Sequence, residues 1–192
     1  YHRCLITAVQ SSIYDSSNMI IGRDGDIVLR ELIEEDLLKL AEYANNEKIS
    51  INLRDSFPYP YSLDDARHFF ESVKNDNPPS TFAIEYQGNY VGNISLVRAS
   101  DVYRNSAEIG YFIGEPFWNR GIVTRAVNLI TQYGFENRGI IRIFTGIFDY
   151  NKASQRVLEK CGFEKEAIFK KSITKKGKIF DEVRFSKIKS EK

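Results

Sequence analysis

A glycine and two arginines stand where a predicted strand runs into a predicted helix, within the segment 108–126. The first turn of a helix has free amide N–H groups and the positive end of the helix dipole, and both attract anions. Gly121 would let a phosphate approach the backbone closely, and Arg120 and Arg125 would add charge-assisted hydrogen bonds. The spacing therefore predicts a pyrophosphate-binding turn, with a glycine needed only for chain geometry as the alternative.

A second junction between a strand and a helix lies in the segment 149–163. Asn151 is a good N-cap for the helix that follows, and Gly162 is a natural stop after its last turn. Neither junction contains the Gly-Lys-Ser/Thr of a phosphate loop or the three glycines of the dinucleotide fingerprint. ATP and NAD are therefore disfavoured, and another ligand that carries a pyrophosphate is expected.

The elements that must position these junctions follow from hydrophobic periodicity, which changes from about 2 to about 3.6 after residues 114–116. The order of strands and helices places helices on a mixed sheet, an α/β (α+β) class. Residues 1–25 show no sustained periodicity, and no element is assigned to them. They are interpreted as an N-terminal extension or as a segment added for expression. The predicted strands are 27–31, 81–86, 90–97, 107–113, 140–148 and a closing hairpin, and the predicted helices are 34–45, one opened by Ser62, 121–137 and 153–161.

The composition argues against several classes of protein. Lys and Arg total 27 against 26 Asp and Glu, so the broad positive surface of a nucleic-acid-binding protein is not expected. No apolar run approaches the ~20 residues that span a bilayer. Cys4 and Cys161 are too few for a disulfide framework, and neither His2 nor His68 has a partner at metal-ligand spacing. We therefore expect a cytoplasmic protein without a nucleic-acid, membrane or metal partner.

The two junctions together resemble the GNAT acetyltransferase superfamily, and within it the Rim-type (RimJ/RimL-like) branch of ribosomal-protein N-terminal alanine acetyltransferases. The first junction is similar to the acetyl-CoA motif Gln/Arg-x-x-Gly-x-Gly/Ala at Trp118, Gly121 and Val123, with Trp first as in the Rim branch and a larger last residue than usual. The second is similar to the signature Asn-x-x-Ser-x-x-x-x-Glu-Lys-x-Gly-Phe at Asn151, Ser154, Glu159, Lys160, Gly162 and Phe163. The resemblance covers residues 27–189.

This resemblance implies a GNAT domain over 26–192, with a mixed and mostly antiparallel sheet of six to seven strands and about four flanking helices. A central pair of strands would be splayed apart. The implied cosubstrate is acetyl-CoA, with no metal, and the implied reaction is direct attack by an amine in a ternary complex. Glu108 would be the general base, acting through an ordered water, with a structural ion pair as its alternative role. A backbone N–H of Tyr111, Phe112 or Ile113 would stabilise the oxyanion.

The departing thiolate needs a different proton donor from the one that the superfamily often uses. That donor is a tyrosine seven residues after the motif asparagine, a position held by Leu158 here. Ser154 or Tyr150 would replace it. The residues implied to bind acetyl-CoA are Tyr111, Phe112, Ile113, Trp118, Asn119, Arg120, Gly121, Ile122, Val123, Thr124, Arg125, Asn151 and Ser154.

The acceptor amine stays open at this point, because a protein N-terminus, a polyamine and an aminoglycoside suit the aromatic segment 52–61 almost equally. That segment and the closing hairpin should line the acceptor entrance. The main alternative function is a non-catalytic acetyl-CoA-binding sensor or regulatory module. A homodimer is expected by analogy with the family.

Overall fold

The computed structural model describes residues 19–191, which form an eight-stranded sheet with helices on both faces. The strand order is β1-β2-β3-β4-β5-β6-β8-β7, and every neighbouring pair is antiparallel except β5 and β6, which are parallel. The predicted mixed, mostly antiparallel sheet is thus confirmed. The strands are β1 (Ile20–Asp24), β2 (Ile27–Glu31), β3 (Thr81–Tyr86), β4 (Asn89–Arg98), β5 (Ser106–Ile113), β6 (Arg142–Phe148), β7 (Glu164–Lys175) and β8 (Lys178–Ile188).

The helices form one layer on each face of the sheet. On one face α4 and α5 bury the large apolar cluster that includes Ile109 and Ile143, and we name this the α4 face. On the other face α1, α2 and α3 pack over Phe112, and we name this the α1 face. The helices are α1 (Leu37–Ala44), α2 (Glu47–Ser50), α3 (Leu63–Val73), α4 (Ile122–Asn137) and α5 (Lys152–Lys160).

The described residues contain more elements than the sequence predicted, eight strands instead of six to seven and five helices instead of about four. The extra strand β1 lies within residues 1–25, for which the sequence predicts no element, and it pairs with β2. β1 is mostly exposed and has no buried apolar face, so its sequence shows no alternation, whereas the equally short β2 is buried and apolar. The extra helix α2 is a single turn, too short for a helical period. Residues 1–18 of the unassigned segment, with His2 and Cys4, lie outside the described residues.

The two parallel strands separate soon after they begin. β5 and β6 pair at three positions, the last of which joins Glu108 to Phe144. Beyond that point β5 stays paired with β4 as far as Ile113, whereas β6 continues beside β8 to Phe148. The predicted splay of the central strands is therefore confirmed. It leaves backbone groups of β5 without a strand partner on the side that faces the split.

Candidate active site

A cavity of about 880 Å³ opens at the split between β5 and β6 and reaches the N-terminal ends of α4 and α5. Both junctions that the sequence singled out line this one cavity, although more than 20 residues separate them in the chain. Strand topology brings them together, since each follows one of the two splayed strands. The predicted site residues that line the cavity are Glu108, Tyr111, Phe112, Ile113, Trp118, Asn119, Arg120, Gly121, Ile122, Val123, Thr124, Asn151 and Ser154.

The start of α4 has the geometry of an anion-binding turn. Gly121 is the N-cap residue, in the left-handed conformation with φ of 73°, and no side chain caps the first turn. Asn119 is also left-handed, with φ of 60°, so the loop curls before the helix begins. A Cβ added to Gly121 would meet no atom within 4 Å, which leaves the space beside the turn open. These features fit the pyrophosphate of acetyl-CoA.

Trp118 has a structural role in the same turn. Its indole Nε1 donates a hydrogen bond to the backbone oxygen of Ile113 at 3.0 Å. The bond ties the turn to the end of β5, the stretch that was predicted to supply the oxyanion donor. The position of the turn relative to the split therefore depends on the Trp118 indole.

The two arginines of the first junction have different surroundings. Arg120 lines the cavity, with its guanidinium 5.9 Å from the centre of the Phe117 ring. Arg125 does not line the cavity, because its guanidinium forms ion pairs at 2.9 Å with Asp24 and with Asp26. The hydrogen bond from Arg125 to Asp24, followed by the weaker one to Asp26, raises the pKa of the guanidinium. Arg125 thus anchors β1 to α4, and the phosphate contact predicted for it has no support in its position.

Asn151 and Ser154 are arranged as the second motif predicts. The Asn151 Oδ1 accepts a hydrogen bond from the Ser154 backbone N–H at 3.2 Å, which caps α5. The Ser154 hydroxyl lies 2.6 Å from the Tyr111 hydroxyl, and the two oxygens share one hydrogen bond across the split on the α4 face. Burial raises the pKa of Tyr111 to about 12, so its hydroxyl is protonated near neutral pH. The sequence associated only the backbone of Tyr111 with the site.

Tyr150 does not line the cavity. Its hydroxyl donates to the backbone oxygen of Ile51, just after α2, and its ring packs against Phe148 and Phe180. Lys175 reaches the same loop from the β7–β8 hairpin and donates to the backbone oxygen of Leu53 at 2.8 Å. Both side chains hold the segment after α2 in place. The structure therefore does not favour Tyr150 as a proton donor to the thiolate.

Glu108 lies on the α1 face, beside the point where the strands part. Its carboxylate accepts a hydrogen bond from Arg54 at 2.7 Å, and Arg54 belongs to the segment after α2. Side-chain exposure is 36% for Glu108 and 76% for Arg54, so this ion pair is largely in solvent. An exposed ion pair contributes little stability, about 0–1 kcal/mol, and another cation could take the place of Arg54 at low cost.

Sequence reasoning gave no site role to several charged residues of the cavity, although Lys160 belongs to the second motif: Lys48, Arg54, Arg156, Lys160 and Glu182. Arg156 and Lys160 are four residues apart and lie on one face of α5, so helical spacing pairs them with each other, although not with Ser154. Arg54 and Glu182 are different. They reach the cavity through a loop and an antiparallel partner strand, and no local spacing indicates this.

Other kinds of chemistry find little support in the part of the chain that the structure describes. Within residues 19–191 no group of three His, Cys, Asp or Glu residues could hold a metal ion. No helix in that range combines the length and the apolarity needed to cross a membrane. Cys161 is buried and donates to the Thr124 backbone oxygen at 3.4 Å, and burial raises the pKa of its thiol. A thiolate nucleophile is therefore not indicated at this position.

We expect Gly121→Ala to weaken coenzyme A binding by about tenfold or more, a change of about 1.4 kcal/mol. A Cβ makes the left-handed conformation costly by about 1–2 kcal/mol, and relief of that strain would turn the amides of the first turn away from the phosphates. Calorimetric titration with coenzyme A measures the effect.

Gly88→Ala is a matched control for this prediction. Gly88 has φ of 80° in the β3–β4 turn, and an added Cβ there would also meet nothing within 4 Å. Both variants should lose similar thermal stability, while only Gly121→Ala loses coenzyme affinity. Equal affinities in the two variants would contradict a phosphate-binding role for this turn.

Comparisons with known proteins agree with this geometry. The model of the family "Acetyltransferase (GNAT) domain" matches residues 26–164. The Bacillus subtilis (strain 168) protein named "Probable N-acetyltransferase YjcK" is 39% identical over 83 residues, which is 43% of this chain and 46% of that protein. The spermidine N(1)-acetyltransferase of Escherichia coli (strain K12) is 26% identical over 141 residues, 73% of this chain and 74% of that protein.

Solved acetyltransferase structures share the fold. A solved structure of RimL, a ribosomal L7/L12 alpha-N-protein acetyltransferase in complex with coenzyme A, superposes with a TM-score of 0.79 at 21% identity. The superposition covers 88% of this chain and 98% of that one. The family match extends over most of the chain and includes both motif junctions. The chain therefore belongs to the GNAT family of acetyl-CoA-dependent N-acetyltransferases.

Proposed function

We propose that this protein transfers the acetyl group of acetyl-CoA to a primary amine, with a protein or peptide N-terminus as the favoured acceptor. One observation carries the proposal. A single cavity passes through the split in the sheet, with an anion-binding helix start at one end and a carboxylate at the other. The donor and the acceptor can thus approach the split from opposite faces and react by direct attack.

The coenzyme would be held on the α4 side of the split. The first turn of α4, from Gly121 to Thr124, would bind the pyrophosphate through its amides, and Arg120 would add a positive charge. Arg156 and Lys160 give α5 two further cations that line the cavity and suit the remaining phosphate. When bound, the thioester supplies the activated acetyl group, and the protein supplies position, proton transfer and hydrogen bonds.

On the α1 side Glu108 would accept a proton from the acceptor. An α-amine has an ordinary pKa of about 7.7–8.0, and a lysine amine about 10.4, so the cationic form must lose a proton before attack. Glu108 is the carboxylate next to the point where the strands part, and its position supports this role. Its contact with Arg54 also fits the structural alternative, an ion pair that fixes the loop.

The leaving thiolate would be stabilised by the hydroxyl pair of Tyr111 and Ser154. Two hydroxyls carry two protons, and their mutual hydrogen bond uses one of them. Whichever oxygen is the donor, one O–H is left to point elsewhere, and both residues line the cavity. Ser154 thus remains the proposed donor, with Tyr111 as its partner in place of Tyr150.

The charges near the acceptor entrance do not by themselves decide the identity of the amine. Lys48 and Arg54 line the cavity on the α1 side, with side chains 68% and 76% exposed. Each forms an ion pair with a carboxylate, Lys48 with Glu115 and Arg54 with Glu108, so these charges alone do not separate a polyamine from an N-terminus. The N-terminus is favoured because the structural neighbour RimL is an alpha-N-protein acetyltransferase. A polyamine is the second candidate, because the Escherichia coli relative is a spermidine N(1)-acetyltransferase.

The non-catalytic sensor remains the alternative to this proposal, and nothing in the site or among the named relatives favours it. Glu108, Asn151 and Ser154 are present and line the cavity, whereas a sensor would need only the coenzyme-binding turns. A homodimer is part of the proposal only through the family, and the mass of the protein in solution would test it.

The test combines coenzyme binding with turnover. We expect acetyl-CoA at about 100 times its dissociation constant to stabilise the protein by about 2.7 kcal/mol, which raises Tm by roughly 5–11 °C, while ATP and NAD do not. Thiol release should then follow when Ala- or Ser-starting peptides are added, and less so with spermidine or an aminoglycoside. Stabilisation by acetyl-CoA without thiol release from any of these amines would favour the sensor.

A further inference from the structure

A second carboxylate, Glu182, lies in the same cavity and belongs to neither motif. It is on β8, where it stands opposite Phe148 of β6, and its side chain is 18% exposed. Side chains alternate along a strand, and its neighbour Val183 belongs to the core on the α4 face. Glu182 therefore projects on the α1 face, the same face as Glu108.

Two glycines leave the space between Glu108 and Glu182 free of side chains. A Cβ on Gly146 of β6 would overlap the Glu182 carboxylate, so the absence of a side chain there lets Glu182 lean over β6 toward the split. On β5, Gly110 follows Glu108 on the same face and is exposed. On the α1 face, each side of the split therefore has one carboxylate and one glycine without a side chain. These are Glu108 and Gly110 on one side, and Glu182 and Gly146 on the other.

The hydrogen-bonding capacity of Glu182 is not filled by the described residues. Its Oε1 is buried and forms an ion pair with Arg184, so this oxygen is not free for a ligand. The other oxygen, Oε2, accepts no hydrogen bond from residues 19–191, and Glu182 lines the cavity. Arg184 is itself held by aromatic rings, with its guanidinium 4.9 Å from the centre of Phe169 and 5.9 Å from that of Phe144. A partly buried carboxylate with spare acceptor capacity gains most from a new charged donor.

We propose that Glu182 binds the ammonium group of the acceptor, opposite Glu108, and that the site selects amines that are cationic at neutral pH. This rests on the proposed acetyltransferase function. Glu182 accepts a hydrogen bond from one N–H of the ammonium, while another proton passes to Glu108. The freed lone pair forms the N–C bond, the C–S bond breaks, and sulfur leaves with the bonding electrons and accepts a proton from the hydroxyl pair. Nitrogen then loses its second proton, which returns to the hydroxyl pair through solvent, so that the product is a neutral amide and Glu108 keeps the first proton. Glu182 is an acceptor-binding residue, and the base is Glu108.

We expect Glu182→Gln to raise the KM for an Ala-starting peptide about tenfold, because a charge-assisted hydrogen bond becomes a neutral one. The kcat and the KM for acetyl-CoA should stay within about twofold of the wild-type values, because the variant changes neither the general base nor the first turn of α4. Initial rates of thiol release with each substrate varied separately measure all three. Glu136→Gln, an exposed carboxylate on α4 outside the cavity, is the control and should match the wild type.

Two further variants separate binding from a structural role. If Glu182 acts only by pairing with Arg184, Arg184→Met should reproduce the rise in peptide KM, and that result would overturn the proposal. If Glu182→Gln lowers Tm, Glu182→Asp keeps the charge with a shorter reach, and a rise in peptide KM at unchanged kcat is again expected. If the wild type acetylates the peptide and Glu182→Gln has the same KM for the peptide as the wild type, the role of Glu182 is wrong and the proposed function stands. A wild type without turnover on any amine overturns the proposed function.

Discussion

Glu108→Gln should lower kcat for peptide acetylation by about 10² to 10⁴, the usual contribution of a general base. The KM for acetyl-CoA should not change, because Glu108 is on the α1 face and the anion-binding turn lies at the start of α4. The amide keeps an oxygen that can accept the hydrogen bond from Arg54, so the fold and the adjoining loop should persist. Steady-state rates of thiol release measure the loss.

The pH dependence gives this prediction a second measurement. Without the carboxylate, turnover depends on the fraction of acceptor that is already neutral. The rate of the variant should therefore rise with pH through the amine's own pKa, about 7.7–8.0 for an α-amine. Glu71→Gln, an exposed α3 carboxylate paired with Lys74, should behave like the wild type. If the kcat of Glu108→Gln is within about twofold of the wild type, another group is the general base, and Glu108 has only the structural role of pairing with Arg54.

Gly92→Ala should destabilise the fold by at least about 3 kcal/mol, because the added methyl group would be forced into the backbone of the next strand. Gly92 of β4 stands opposite Ile113 of β5. Its Cβ would lie 2.8 Å from the Ile113 Cα and closer still to the Phe112 carbonyl oxygen. Backbone atoms cannot turn aside as a flexible side chain can, so β5 would have to move. A drop in Tm of roughly 6–12 °C is expected for a chain of this size.

The same displacement would reach the site. Ile113 ends β5, accepts the hydrogen bond from Trp118 and borders the split, so a shift there moves the strand that faces the thioester. Gly22→Ala is the matched control. Its Cβ would meet only Leu129, with the nearest atoms at 3.2 and 3.3 Å, so a shift of a few tenths of an ångström relieves the contact and the cost should stay below about 1 kcal/mol. Equal melting temperatures of the two variants would show that β4 and β5 tolerate the extra atom.

Much of the coenzyme side was predictable from the sequence, because its determinants are local. The cap of α5 by Asn151 and the left-handed Gly121 at the start of α4 depend on residues within one helical turn. The sequence likewise predicted strands β2 to β8, the last two as a closing hairpin, and helices α1 and α3 to α5, with small shifts at their ends. β1 escaped because it is mostly exposed and has no buried apolar face, whereas the equally short β2 is apolar and buried. α2 escaped because its four residues form a single turn.

The acceptor side was decided by tertiary structure. The register of β8 against β6 brings Glu182 to the cavity, the loop after α2 brings Arg54 to Glu108, and the split lets Tyr111 meet Ser154, 43 residues away in the chain. Arg125 is the opposite case. Its position in the motif suggested a phosphate contact, but in the folded chain it forms ion pairs with Asp24 and Asp26. The sequence by itself determined the turns that suit a coenzyme, because capping and left-handed glycines are properties of neighbouring residues. Only the folded sheet decided which side chains meet across the split, because register and strand separation depend on packing over the whole domain.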